Sequence, residues 1–425
     1  MCDGLPVAMP YIPPRSACFR PDEYKDLTLF ADRAEERDEL VSVLDSYLEP
    51  DAPGNVRVLV RGQRGVGKSM LARRIVEDVA HKWALLVAEA DCAIIGVGPE
   101  AVLRALARTL GDEAAQHALD EGVQHGAELL SRMAAASKVK ARDVRSWTQQ
   151  LKVGVSAAPK LYDTLAFEFG MTRATGRSKE IEETFERNVD VPFLQDLIAK
   201  FLADCTLAGQ KIVIFIDNLD QAANPERKED VEQVVDLARF LFGLRDGVVL
   251  MTLRTEFVSR DLHKLYSYSR EVAPMNADGL LDVARARMRG AGPRQRRALE
   301  EARFEAVART LSGWTGNAWG FLTWLQQLDY VKADISTAEP LVLNAALLDT
   351  VHALFPGLRV DELRKVAFPF GDDPTGFLTR EELNKEGLAD ELIDRAISYH
   401  ALVPDWLLEA HGYYLPPQLH FLAVD

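Results

Sequence analysis

Residues 62 to 69 read Gly-Gln-Arg-Gly-Val-Gly-Lys-Ser, a glycine-rich turn closed by a lysine and a hydroxyl residue. The apolar run Val56-Arg57-Val58-Leu59-Val60 before it predicts a buried strand, and Ser69 to Val76 after it predicts a helix. A strand that passes through such a turn into a helix is a phosphate-binding P-loop, and it belongs in an α/β architecture built on a parallel sheet.

The residue types follow from the charge they must meet. Triphosphate oxygens are densely negative, and backbone N–H groups pointing inward satisfy them together with the positive end of the next helix. Gly62, Gly65 and Gly67 let the backbone approach and turn. Gln63, Arg64, Val66 and Met70 complete the loop and the first helical turn. Lys68 would reach the β- and γ-phosphates and the Ser69 hydroxyl would ligate Mg²⁺. The expected ligand is therefore a nucleoside triphosphate with Mg²⁺.

A second strand is expected at Ala84 to Ala88, and a third at Ile212-Val213-Ile214-Phe215-Ile216, followed at once by Asp217-Asn218-Leu219-Asp220. An acid at the carboxyl end of a buried parallel strand stands where α/β sheets keep their ligand chemistry. Asp217 reads as the Walker B acid, holding Mg²⁺ through water. A further strand at Val248 to Leu253 ends in Arg254, so that Thr252 or Arg254 would lie beside the γ-phosphate. Lys68 and Asp217 are farther apart than the roughly 50–60 residues such a core needs. The surplus is placed near 112–190, helical over Ala114 to Ala136 and a hairpin over Leu151 to Val155 and Leu161 to Phe169.

The organisation expected is an extended, proline-containing arm over 1–25, a P-loop core over 26–275, a helical lid over 276–338 and a winged-helix-like domain over 339–425. The last rests on helices at 341–354, 360–367, 380–386 and 390–400, a Thr379/Glu382 capping box, and strands around a wing near Tyr413 to Phe421. No apolar run is long enough to span a bilayer, and the four cysteines show neither metal-ligand nor disulfide spacing. A reducing, cytoplasmic setting is expected.

With these parts in this order, the chain resembles the AAA+/STAND branch of P-loop ATPases, most of all origin-recognition-type AAA+ proteins, with a NACHT- and KAP-like Asp-x-Leu-Asp at 217–220. The resemblance implies ATP as the nucleotide. It places Phe30 to Glu35, with Arg33, on the adenine side. It aligns Gly316-Asn317-Ala318-Trp319 with the lid motif that carries the sensor 2 arginine. Two departures matter. Asn218 holds the place of the catalytic Glu, and an amide is no general base, so Asp220 is the expected substitute. Trp319 holds the place of the sensor arginine. Both imply a slow switch rather than a fast motor. Arg260 and Arg270 are candidates for an arginine acting in a neighbouring subunit.

The net charge of −15 weakens a nucleic-acid role. Arg285, Arg287, Arg289, Arg294, Arg296, Arg297 and Arg303 form the best basic cluster, yet residues 341–425 hold 6 Lys and Arg against 14 Asp and Glu. The helix beginning Asp390-Glu391-Leu392-Ile393-Asp394 is acidic where a DNA-reading winged helix needs a basic recognition helix. The favoured partners are a protein effector or further copies of the chain. The alternative is a DNA-associated AAA+ ATPase of initiator or transposition-regulator type, and a third reading is a scaffold that binds nucleotide without hydrolysing it.

Overall fold

The computed structural model describes residues 27, 30–49, 52, 55–95, 98–116, 121–150, 159–169, 186–222, 228–255, 258, 262–289, 302–312, 314, 317–327, 343–345, 347–348, 351, 354–371, 373–374, 376–407 and 410–423. The expected arm over 1–25 lies outside them. The chain divides into two compact units. One comprises residues 35–61 and 74–271, the other 1–34, 62–73 and 272–425.

The first unit is built on a five-stranded sheet. Its strands are β1 (Val56–Gly62), β2 (Leu85–Asp91), β5 (Lys211–Asp217), β6 (Val248–Arg254) and β7 (Tyr268–Glu271), in the order β2-β5-β6-β1-β7. The pairings β1–β7, β2–β5 and β5–β6 are parallel. β5 and β6 are buried along almost their whole length, which accounts for their unbroken apolar sequence. Register sets Asp91 level with Asp217, so β2 and β5 finish together at the carboxyl edge. The edge strand β7 was not legible in advance: Tyr-Ser-Arg-Glu is only partly buried and carries no apolar run.

The extra segment contains the helices Glu121–Ala135, Ala141–Gln150 and Pro159–Glu168. Two short antiparallel strands, β3 (Lys138–Lys140) and β4 (Glu186–Asn188), pair with each other and not with the main sheet. The expected hairpin is corrected here. Leu161 to Phe169 is helical over Pro159–Glu168, and Leu151 to Val155 lies outside the described residues. Leu161, Leu165, Ala166 and Phe169 are buried, a helical spacing rather than an alternating one. The helix begins at a proline, whose missing N–H costs nothing there. The next two N–H groups, of Lys160 and Leu161, donate to the buried Asp204 carboxylate, both at 2.8 Å. Asp204 sits on the long helix Val191–Leu207, itself capped by Asp190 accepting from the Phe193 N–H at 3.1 Å.

The second unit carries helices Ala277–Arg289, Ala302–Ser312 and Ala318–Gln327, and after them helix Val360–Ala367. Next come strand β8 (Phe377–Thr379), helices Arg380–Lys385 and Asp390–Ser398, and the hairpin of β9 (Val403–Leu407) and β10 (Ala410–Tyr414). The three strands form one antiparallel sheet with β10 in the middle. Thr379 and Glu382 make the expected capping box, with the Thr379 N–H donating to Glu382 at 2.7 Å. A single hydrophobic cluster runs from Met275 to Ala423. Trp324, fully buried on helix Ala318–Gln327, meets Trp314 edge-on at 6.2 Å and Phe421 at 6.0 Å. The expected lid and terminal segments therefore share one core.

His420 lies inside that core, 2% exposed, its Nε2 3.0 Å from the Leu415 carbonyl oxygen. Burial pulls its pKa down from 6.5 to about 4, against the smaller opposing effects of Leu415 and Asp373. The folded state thus holds the ring neutral while the unfolded chain takes up a proton below pH 6.5. Stability from this group is full above pH 6.5 and is lost as pH falls toward 4, on the order of 3 kcal/mol in all. Thermal melts from pH 7.5 to 4 are expected to show that decline, and His420→Gln is expected to flatten it.

Candidate nucleotide-binding site

β1 runs straight into the glycine-rich turn, and helix Lys68–Lys82 begins at its last lysine. Gly65 and Gly67 have φ of 81° and 96°, the left-handed region that side chains avoid. At Gly65 space adds a second demand, because a Cβ would lie 2.3 Å from the Asn317 Oδ1 atom. Lys68 is 9% exposed, and its Nζ donates to the Gly62 and Gln63 carbonyl oxygens at 2.9 and 2.8 Å. A buried ammonium lying on the loop's own carbonyls suits the arrival of an anion, so the loop fits a nucleoside triphosphate. Val66 is fully buried, while Ser69 and Met70 lie in the first turn of the helix.

Residues of the same unit surround the loop. Arg33, at φ 64° and 7% exposed, donates through Nη2 to the Ala273 carbonyl and at 3.5 Å to that of Val66. Its guanidinium ties the segment before the first helix to the loop. Asn317 donates from Nδ2 to the Arg64 carbonyl, and its Oδ1 accepts from the Gly320 N–H at 3.0 Å. The Trp319 N–H donates to the Gly65 carbonyl at 3.2 Å. The start of helix Ala318–Gln327 thus rests on the loop backbone. Trp319 also lies against Arg64, whose guanidinium is 5.2 Å from its ring centroid and 4.9 Å from that of Tyr414. Arg64 Nη1 donates to the Tyr414 hydroxyl, and Gln63 Nε2 donates to Asp373 at 2.9 Å. Tyr414 and Asp373 carried no signal in the sequence. They come to the loop only through the tertiary fold.

The acidic cluster stands at the carboxyl edge of the sheet in the other unit. Asp217 is fully buried and accepts from the Thr252 hydroxyl at 2.6 Å, and Thr252 Oγ1 accepts the Asn218 N–H at 2.9 Å. Thr252 therefore orients the end of β5. Asn218 has φ 54°, a conformation that Asn tolerates better than Glu, which gives a backbone reason for the amide there. Its Nδ2 donates to Asp91 at 3.2 Å. Arg254 and Asp220, both expected near the chemistry, are brought together: Arg254 Nε lies 2.7 Å from Asp220 Oδ2, with side chains 11% and 8% exposed. Burial, and then the nearness of Asp220, Asp217 and Asp91, pushes the Cys92 thiol well above the usual thiol range. Arg270 lies on β7 and pairs with Glu39 at 2.9 Å, while Arg260 falls outside the described residues.

A glycine-rich loop between a parallel strand and a helix, with a buried aspartate ending another strand of the sheet, defines a P-loop nucleotide-binding α/β protein. The chain belongs to the AAA ATPase domain family, whose model matches residues 33–249, just over half of its length. It is an ATP-binding protein and an ATPase. Similar solved structures include Cdc6p from Pyrobaculum aerophilum, 11% identical over 96% of this chain and 95% of that one, with a TM-score of 0.42. A Drosophila ORC bound to DNA is 12% identical, covering 99% and 94% of the two chains, with a TM-score of 0.39. A Walker-type ATPase of Pyrococcus abyssi is 13% identical, covering 93% and 96%, with a TM-score of 0.40. The comparison with curated proteins matched none. Among the described residues no helix is long and apolar enough to cross a membrane.

Proposed function

We propose that the protein is a slowly hydrolysing, nucleotide-operated switch of STAND-like character, in which Mg-ATP at residues 62–70 governs the segment after residue 272 and, through it, an oligomer or a protein effector. One observation carries the reading: Arg64, inside the phosphate loop, is stacked on Trp319 and bonded to Tyr414. A ligand that rearranges the loop backbone must disturb those contacts. Ser69 and Asp217 would hold the magnesium ion, Lys68 would meet the β- and γ-phosphates, and Arg33 would lie on the adenine side. With Trp319 packed against Arg64, the lid motif offers an aromatic ring in place of a sensor cation, in keeping with slow turnover. The terminal unit, winged-helix-like in its element order, would be the output.

Nothing in the described residues favours the DNA-associated alternative. Arg285 is paired with Asp282 at 3.0 Å and Glu305 at 3.3 Å, and Arg287 is 3% exposed. Helix Asp390–Ser398 opens with Asp390 and Glu391.

Hydrogen exchange tests the switch. Arg64→Ala removes a charge-bearing hydrogen bond and two ring contacts, together about 1–3 kcal/mol. Exchange over residues 317–327 and 410–414 is expected to rise roughly ten-fold or more in the variant without nucleotide, and to rise in the parent when Mg-ATP is added. Light scattering on the same samples is expected to show a change of assembly mass with Mg-ATP. If Mg-ATP binds the parent and changes neither protection nor mass, the switch reading fails.

A further inference from the structure

We infer that a hollow walled by helices Pro159–Glu168 and Val191–Leu207 and by the end of helix Lys228–Gly243 binds a small anionic amphiphile, an aliphatic body carrying one carboxylate or phosphate. The hollow measures about 510 Å³, inside the range of roughly 300–1,000 Å³ usual for small-molecule sites. All of its lining belongs to one compact unit. One wall comes from the extra segment, which a P-loop core does not need. Helix Val191–Leu207 leads into β5, and residues 243–246 lead into β6. The hollow therefore lies toward the amino ends of the strands whose carboxyl ends carry Asp217 and Arg254. It is separate from those acids and goes beyond the nucleotide reading.

Small side chains open the space. Ala199 and Ala203 both line it, one turn apart on helix Val191–Leu207, and so lie on one face of that helix. Gly243 ends the third helix, and a Cβ there would meet nothing within 4 Å. The buried Leu202 and Leu244 and the half-buried Phe240 make the rest of the lining mostly apolar. Such a surface suits an aliphatic chain, whose removal from water drives binding.

The charged part of the lining is unbalanced. Lys160, Lys200 and Arg245 stand there against one carboxylate, Asp246. Asp246 also acts on the buried Arg57. Lys160 acts on Asp204, whose carboxylate accepts the Lys160 and Leu161 N–H groups at the start of their helix. That helix end is thus already capped, and the anion preference comes from side chains. Among the described residues no ion pair engages Lys200 or the Arg245 side chain. A smaller hollow of about 380 Å³ shares Lys160 and Lys200 but adds Asp163 and Asp196, which offset them. The anionic head therefore belongs on the Arg245 side, where cations are in excess.

Calorimetric titration of the full chain with decanoate, decyl phosphate, decanol and decyltrimethylammonium tests this. One of the two anions, or both, is expected to bind once per chain and about ten-fold or more tighter than decanol, through charge-assisted contacts. The tighter of the two identifies the head group, and the cation is expected to bind no better than decanol. The double variant Lys200→Gln with Arg245→Gln changes only the rim. It is expected to lose about ten-fold or more in affinity for the anion and to keep that for decanol. Ala203→Phe fills the hollow and is expected to abolish binding of every decyl probe, with a thermal melt matching the parent's as the check on folding. If Ala203→Phe does not fold, the rim variant decides alone. Three results overturn the inference: no anion binding to the parent below about 1 mM, decanol as tight as the anions, or a rim variant that binds the anion like the parent. A parent that binds no decyl probe yet forms a dimer dispersed by Ala203→Phe would make the hollow an interface between copies, and would overturn it too.

Discussion

Lys68→Ala is expected to abolish measurable ATP turnover, a loss of about a thousand-fold or more, and to weaken Mg-ATP binding by at least ten-fold. Phosphoryl transfer leaves little for a protein to do beyond positioning and charge stabilisation, so a fixed cation at the β- and γ-phosphates carries a large part of the effect. Lys68 is already pre-placed for the task. Its ammonium lies inside the loop on the Gly62 and Gln63 carbonyls, with little exposure to water. Its two carbonyl bonds exchange for phosphate oxygens at small cost, and the low-dielectric surroundings strengthen the new attraction. Calorimetric titration with Mg-ATP and a phosphate-release assay read the two quantities. Lys68→Arg separates charge from shape, since a planar fork does not replace a compact ammonium in so tight a loop. Turnover in Lys68→Ala within ten-fold of the parent would exclude the loop as the catalytic phosphate site.

The largest stability effect is expected at Trp324. Trp324→Ala removes a fully buried indole that touches Trp314 and Phe421 and joins helix Ala318–Gln327 to the chain terminus. Large-to-small substitutions of aromatic core residues cost about 3–5 kcal/mol, combining lost transfer energy with the cavity left behind. The cavity would open in the cluster that carries both the expected lid and the terminal strands, so both are expected to loosen together. Chemical denaturation should show the unit with residues 272–425 unfolding at markedly lower denaturant, while Trp324→Phe recovers part of the loss. Separate loosening of helix Ala318–Gln327, with the terminal strands unaffected, would contradict a shared core.

Much of the ATPase core was legible because its signals are local. β5 and β6 are buried strands, so their sequences are apolar without interruption, and the acid that ends β5 is conspicuous. The capping box at Thr379 and Glu382 was legible for the same reason, as both partners lie within one helical turn. Two elements escape local signals for physical reasons. β7 is an edge strand of mixed residues whose only mark is its pairing with β1, and pairing has no local signature. The segment 161–169, expected as part of a hairpin, has frequent apolar residues that do not by themselves separate strand from helix. It is a helix because Leu161, Leu165, Ala166 and Phe169 must face one side, and because Asp204, more than forty residues away, caps its first turn.

The same division separates what the linear sequence determined about function from what folding decided. The loop at 62–69 and the acid at 217 announce nucleotide chemistry, since turn geometry and strand endings are written in neighbouring residues. The departures at Asn218 and Trp319 were equally visible. Which side chains would meet those residues was not, because the partners come from elsewhere in the chain. Asp91 reaches Asn218 only through the register of β2 on β5, and Asp220 proves to be paired with Arg254 only once β6 is alongside. Tyr414 meets Arg64 across 350 residues. Local physics writes the ligand into the sequence. The contacts around each of these groups depend on side chains converging from distant strands and helices, and only the packed structure brings them together.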